Sequence, residues 1–208
     1  MTACEPEPDV GAATPRLRVA PSAPGVDVDA AERAAGDLLR ALGMDLADPT
    51  LSGTPRRIAL AYTELLTPRE FNLTTFPNDE NYDELVLARG IPFTSICEHH
   101  LLPFSGTAAV GYLPGSRILG LSKLARIVEL FARRPQVQER MTKQIASWLD
   151  GHLKPRGVGV VLSAEHSCMT LRGVRAQGAV TVTSALLGQL RNDQRTRAEF
   201  LALAQPSG

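Results

Sequence analysis

The spacing of apolar residues along the chain changes four times, and each change predicts a switch between helix and strand. Between residues 27 and 66 the period is helical. Asp29 can cap a helix in which Leu38, Leu39 and Leu42 share one face, and Gly43 ends it. Thr54-Pro55 opens a second helix with proline in its first turn, continued by Ile58, Leu60, Ala61 and Leu65 and stopped by Pro68. Residues 69–83 carry Asn and Pro and are predicted as a loop. The period then shortens to that of strands over 85–87, 91–96 and 106–113, the last closed by Pro114-Gly115. Helical spacing returns with Ser122 as a cap for Leu124, Ile127, Val128 and Phe131. A longer helix follows Pro135, carrying Val137, Met141, Ile145, Trp148 and Leu149 and ending near Gly151. Residues 157–162 and 180–186 read as strands and 193–204 as a closing helix. No internal repeat is visible. The order implies an α+β protein: a mostly antiparallel sheet backed by two consecutive helices, with an N-terminal helical extension.

Residues 1–26 hold five Pro and five Ala without an apolar period and are expected to be a disordered tail. The predicted organisation is thus a tail over 1–26, a helical region over 27–83 and the main domain over 84–208. At 208 residues, with 44% hydrophobic and 21% charged residues, the chain suits one soluble domain that needs no disulfide staples. No apolar run approaches the 18 residues of a membrane-spanning helix, and the acidic, proline-bearing start does not resemble a secretory signal. Three cysteines do not make an extracellular disulfide framework, so a cytoplasmic protein is expected, with no membrane partner.

Lys+Arg and Asp+Glu both number 22, which gives no argument for a nucleic-acid partner. The distribution is less even. Residues 1–90 hold 15 acids against 8 bases, and residues 91–208 hold 7 against 14. This fits either two solvated faces that attract each other or a second half that handles an anion.

The scarce residue types are clustered. Three of the four histidines sit beside a cysteine, in Cys97-Glu98-His99-His100 and His166-Ser167-Cys168. His152 stands alone near a helix end and reads as a surface residue, and Cys4 as an idle thiol in the tail. Thiolate and imidazole together suit zinc. Cys97 and His100 can turn to one ion if the strand breaks there, and His166 and Cys168, two apart, share a side if extended. Four protein ligands would close the site and make zinc structural, whereas three would leave a position open and free the remaining histidines for acid–base work. Spacing alone leaves both possibilities open.

Between the clusters, Lys123 and Arg126 share a helix face close to its N-terminus, where free N–H groups also favour anions. Gln138 and Glu139 open the next helix, and a carboxylate there can accept two parallel donors such as N1–H and the 2-amino group of guanine. Arg57, Arg172 and Arg175 add further cations. Taken singly, Lys123, Arg126 and Glu139 read better as solvated charges, and Arg57, Arg172 and Arg175 are ambiguous.

Taken in order, TPRRIA at 54–59, SICEHHLLPFSG at 95–106, GLSKLARIVELFARRPQVQERMT at 120–142, HSCMTLRGV at 166–174 and TVTSALLG at 181–188 resemble GTP cyclohydrolase I over roughly residues 30–204. The resemblance implies that Cys97, His100 and Cys168 hold zinc with water in the fourth position. It implies conversion of GTP to 7,8-dihydroneopterin triphosphate and formate, with His166 as the proton donor to guanine N7. His99 would be the second catalytic histidine, near the ribose, and Ser122 would assist there. Glu139 with Gln138 matches the guanine-anchoring position, and Lys123, Arg126, Arg172 and Arg57 match the triphosphate-binding cations. The implied fold is the tunnelling fold, in which antiparallel sheets of several subunits close one barrel. The implied assembly is a homodecamer of two stacked pentameric rings with sites at subunit junctions. Two departures stand out: Ala176 lies where many relatives have lysine, and 67–83 follows no family pattern. The competing readings are a duplicate copy serving specialised pterin or deazapurine metabolism, and a non-catalytic assembly module whose zinc is structural and takes His166 as a fourth ligand. A nitrile-reducing relative of the same fold is disfavoured, because it needs a nucleophilic cysteine and no zinc.

Overall fold

The computed structural model describes residues 16–19 and 25–205. In chain order they form β1 (Arg16–Val19), α1 (Val28–Ala41), α2 (Thr54–Leu66), β2 (Phe71–Pro77), β3 (Val86–Cys97), β4 (Pro103–Leu113), β5 (Arg117–Leu119) and α3 (Ser122–Ala132). Then come β6 (Pro135–Gln136), α4 (Gln138–Leu153), β7 (Gly157–His166), α5 (Ser167–Thr170), β8 (Val180–Gly188), α6 (Gln189–Asn192) and α7 (Gln194–Leu203).

The main sheet runs β6-β3-β4-β7-β8, antiparallel throughout except for the short parallel pairing of β6 with the end of β3. Alternation along β4 assigns its two faces. Phe104, Ala108, Val110 and Tyr112 join Val158, Val160 and Leu162 of β7 in one core, closed by Leu124, Ile127 and Val128 of α3 and Met141, Ile145 and Leu149 of α4. Truncating one of these fully buried leucines costs about 2–5 kcal/mol, so the helix pair is fixed firmly to the sheet. Ala109 and Leu113 point to the opposite face, where Leu190, Phe200 and Ala204 cover them. Gly159 makes that cover possible, because a Cβ at this position would lie 2.6 Å from the Phe200 ring.

The two consecutive helices and the antiparallel sheet match the order read from the sequence, and four local expectations are corrected. Residues 69–83 are not simply a loop. Phe71, Leu73 and Thr75 alternate with more exposed neighbours, and β2 pairs with β1 and β5 in a second, three-stranded sheet. Within the expected tail, Arg16–Val19 is a strand antiparallel to Phe71–Thr74; most of the remaining tail, including Cys4, lies outside the described residues. Helix α1 is capped by Asp27, whose side chain accepts from the Ala30 N–H, two residues before the expected cap. Of its apolar face, Leu39 is buried while Leu38 and Leu42 are 57% and 64% exposed. Gly43, at φ +82°, ends the helix as expected. Ser122 is the first residue of α3 rather than its cap, and its side chain makes no capping bond.

Two sheet edges are open among the described residues. Nothing pairs with the outer edge of β8, where Val180 and Val182 are exposed, and β6 reaches only Ile96 and Cys97 of β3.

Candidate metal centre and anion cleft

The end of β3 makes a tight reversal that supplies two of the candidate ligands. The Cys97 carbonyl accepts from the N–H groups of Leu101 (2.8 Å) and His100 (3.4 Å), and the Cys97 N–H donates to the Leu102 carbonyl at 2.9 Å. Leu101 takes φ +53°, which completes the turn and sends the chain back along β4. The strand therefore breaks just where Cys-x-x-His needs it to. Next to this turn, His166 ends β7 opposite Phe104, and the helical turn α5 carries Cys168. The Sγ atoms of Cys97 and Cys168 and a ring nitrogen of His100 lie within 4.8 Å of one another. The separation of Cys97 Sγ from His100 Nδ1 is 3.7 Å.

This donor set fits a soft divalent cation. Burial and the neighbouring Cys97 sulfur push the Cys168 thiol up, and the Arg172 charge pulls it back only in part. Two crowded sulfurs, Cys97 buried and Cys168 half-buried, gain from a cation that takes both as thiolates. Two sulfurs and an imidazole are what zinc prefers.

His166 is occupied elsewhere. Its ring stacks on Phe104 at 4.4 Å and 4°, and its Nε2 lies 2.7 Å from Gln138 Oε1. The Gln138 amide nitrogen donates to the carbonyls of Leu162 and Thr181 and to Thr183 Oγ1, which fixes the amide orientation and makes Oε1 the acceptor. His166 Nε2 is therefore the protonated nitrogen, and Nδ1 is the free one. Burial lowers the His166 pKa, opposed by the Glu139 carboxylate. His99 stands on the turn with its Nδ1 4.0 Å from Cys97 Sγ and its ring edge-on to His100.

The remaining candidates differ in setting. Gln138 is only 2% exposed, and its side chain is fully engaged as described, whereas Glu139 is exposed on the first turn of α4. Arg172 is exposed and close enough to Cys168 for its charge to be felt there. Arg57 donates to the Thr50 carbonyl and Thr54 Oγ1 at the start of α2. Ser122 and Arg126 line a cleft of about 760 Å³ along β3 that includes Phe93, Thr94 and Ser105 but none of the three metal-ligand candidates.

Two devices were invisible in the sequence. Glu98, inside the Cys-x-x-His turn, is paired with Arg140 of α4, which also donates to Gln136 Oε1 and the Pro135 carbonyl. The hydrogen bonds that Arg140 donates to Glu98 hold its carboxyl below the ordinary range, with burial opposing. The pair ties the metal turn to the helix that bears Glu139. In the cleft, Glu129 accepts from Arg69 and Arg126 together. Burial pushes its carboxyl up, but the two guanidinium groups outweigh burial and hold it below the ordinary value.

An antiparallel sheet backed by two helices, with a Cys-His-Cys donor set at the strand ends beside an oriented histidine, defines a metal-binding α+β protein equipped for proton transfer. Sequence comparison makes this specific: the chain belongs to the GTP cyclohydrolase I family, whose profile matches residues 31–205. It is 53% identical over 180 residues to GTP cyclohydrolase 1 of Mycolicibacterium vanbaalenii, covering 83% of this chain and 88% of that protein. It is 49% identical over 196 residues to the Mycobacterium leprae enzyme of the same name, covering 92% and 93%. The Sulfurihydrogenibium sp. enzyme of that name is 47% identical over 178 residues, covering 86% and 95%. The sheet and its two helices are the tunnelling fold of this family.

Proposed function

We propose that the chain is a zinc-dependent hydrolase that converts GTP and water to 7,8-dihydroneopterin triphosphate and formate, opening pterin and folate synthesis in the cytoplasm. The observation that carries this reading, beyond family membership, is that Cys97, His100 and Cys168 converge while His166 is held away by Gln138. Three protein donors are the ligand number of catalytic rather than structural zinc. Zinc bound there supplies Lewis acidity that brings the pKa of water to about 7, so that hydroxide is available at neutral pH.

The residues of the chain do the remaining work. C8 of guanine is weakly electrophilic until N7 is protonated, and His166 is the group assigned to that proton. Its Nε2–H is fixed on Gln138, so Nδ1 takes up and passes the proton. Glu139 accepts from the guanine edge, and Gln138 acts behind it by holding His166. His99 serves proton transfers at the ribose while that ring opens, rearranges and recloses, with Ser122 assisting. Lys123, Arg126, Arg172 and Arg57 neutralise the triphosphate, which carries about four negative charges. One water is consumed overall and the guanine C8 leaves as formate.

Oligomerisation completes this reading. The free outer edge of β8 and the largely uncovered edge of β3 suit pairing with further copies, and unpaired edges of this kind are rarely left open. Closure into a homodecamer of two pentameric rings would bring the Ser122–Arg126 cleft of one subunit to the metal centre of another. The helical region over 27–83 and the catalytic unit over 84–208 are the proposed parts of each subunit, with β2 crossing from the first toward β5 of the second. No helix among the described residues is long and apolar enough to cross a membrane.

The test is turnover of GTP by the purified protein with and without a chelator, following formate and the pterin product. Both products should appear and both should be lost on chelation. Metal-loaded protein that leaves GTP untouched would overturn the reading.

A further inference from the structure

The cleft along β3 contains a cation that lies outside the motifs read from the sequence. Arg69 follows Pro68 just after α2, outside the five motif segments quoted from the sequence, and it lines the cleft together with Ser122, Arg126 and Glu129 of α3. Its Nε donates to Glu129 Oε1 at 2.6 Å and a terminal nitrogen to Oε2 at 2.9 Å, a bidentate pair. Glu129 Oε2 also accepts from Arg126 at 3.1 Å. One carboxylate thus sets the position of two guanidinium groups.

Exposure separates the roles within this triad. The Glu129 side chain is 16% exposed, that of Arg126 39% and that of Arg69 68%. The acid is the inner hinge and the cations face solvent. Arg133 lines the same cleft and donates to the Glu64 carbonyl at 2.5 Å. Glu129 is the only carboxylate among the described residues that line the cleft, so three guanidinium charges face one negative charge. An excess of fixed cations on a concave wall attracts a polyanion. The bidentate grip leaves the other terminal nitrogen of Arg69 without a hydrogen bond to a described residue, directed by a planar group whose orientation is already set.

We propose that Arg69 is a further substrate-binding residue for the triphosphate, and that Glu129 is the positioning residue that holds Arg69 and Arg126 together. This rests on the reading of the cleft as the triphosphate wall. The carboxylate partly neutralises the wall and thereby weakens it in charge, but it removes the rotamer freedom that two long side chains would otherwise lose on binding. The gain is a preformed fork.

The discriminating variants are Arg69→Gln, Glu129→Gln and, as a control, Arg126→Gln, in full-length zinc-loaded protein. The measured quantities are KM for GTP and the inhibition constants of inorganic tripolyphosphate and of guanosine. For Arg69→Gln the first two should rise about 10-fold, the loss of one charge-assisted contact from a solvent-facing cation, while the guanosine constant stays at the wild-type value. Arg69→Lys should recover only part of the loss, because an ammonium cannot make the fork with Glu129. Glu129→Gln should raise both phosphate-dependent constants although it makes the cleft more positive, a sign opposite to that of a purely electrostatic role. Unchanged tripolyphosphate inhibition in Arg69→Gln, or an equal loss for guanosine, would overturn the assignment of Arg69. Tighter tripolyphosphate binding by Glu129→Gln would overturn the positioning role. If Arg126→Gln also leaves GTP and tripolyphosphate unaffected, the cleft is not the triphosphate wall and the underlying reading fails, whatever Arg69 does.

Discussion

The two halves of the proposed site are built on different principles. At the metal centre, backbone geometry does the positioning. A strand-end turn with Leu101 at positive φ presents Cys97 and His100, a helical turn presents Cys168, and His166 is wedged between the Phe104 ring and a glutamine whose amide nitrogen is anchored on β7 and β8. In the anion cleft, side chains position side chains: Arg69, Arg126 and Glu129 come from α3 and the segment after α2, and their geometry is set by charge-assisted hydrogen bonds at a solvent-facing wall. Soft ligands and a proton carrier tolerate little displacement, whereas a triphosphate can be held by several cations that adjust to it. Damage at the metal centre should therefore be abrupt, and damage in the cleft graded.

The most severe break in this contrast is loss of a ligand. Cys168→Ala should fail to retain stoichiometric zinc, measured by metal analysis after dialysis, and GTP turnover should fall to background. Retention of zinc with normal turnover would remove Cys168 from the metal centre. The next largest effect separates metal from proton. His166→Ala should keep wild-type zinc content while formate release falls by about 10²–10⁴-fold, the range of general acid–base catalysis.

A smaller effect is expected at the tie between the metal turn and α4. Glu98→Gln leaves all three ligands in place but weakens the pairing with Arg140. Zinc affinity in competition with a chromogenic chelator should drop by about tenfold, the low end of effects from residues that orient metal ligands. Wild-type affinity would show that the turn holds its shape without the pair.

The smallest effect concerns acid stability in the cleft. Glu129 has its carboxyl held below the ordinary value, so its contribution is present above the unfolded pKa of about 4.3 and is lost as pH falls through the lower folded value. Glu129→Gln should lower thermal stability slightly near neutrality and flatten the acid limb, the two proteins converging as pH falls below the folded value. An unchanged acid limb would place the stabilising charge elsewhere.

How far these features can be read from sequence follows from how locally each is encoded. The α3 and α4 cores were legible because Leu124, Ile127, Val128, Met141, Ile145 and Leu149 repeat at helical spacing within single elements. Strand β2 was not, because Asn72, the Thr74-Thr75 pair and Pro77 hide the alternation of Phe71, Leu73 and Thr75, whose burial depends on β1 and β5 rather than on the segment itself. The three candidate ligands stood out by scarcity and by proximity in two short motifs. Gln138 looked like a partner of Glu139 at the substrate, and only the arrival of Thr181 and Thr183 on β8 shows why its amide turns inward. Arg69 and Glu129 are 60 residues apart, and no spacing rule joins them. Identity of a reactive group is a local property of sequence, while its orientation is a property of strands that meet only in the fold.

The central claim is that the metal has three protein ligands and that His166 is not among them. X-ray absorption at the zinc edge, on wild-type and His166→Ala protein, tests it most directly. Both should show two sulfurs and one imidazole, with a light-atom ligand in the remaining position and identical spectra from the protein ligands. A second imidazole in the wild type that disappears in His166→Ala would contradict the account and make the zinc structural.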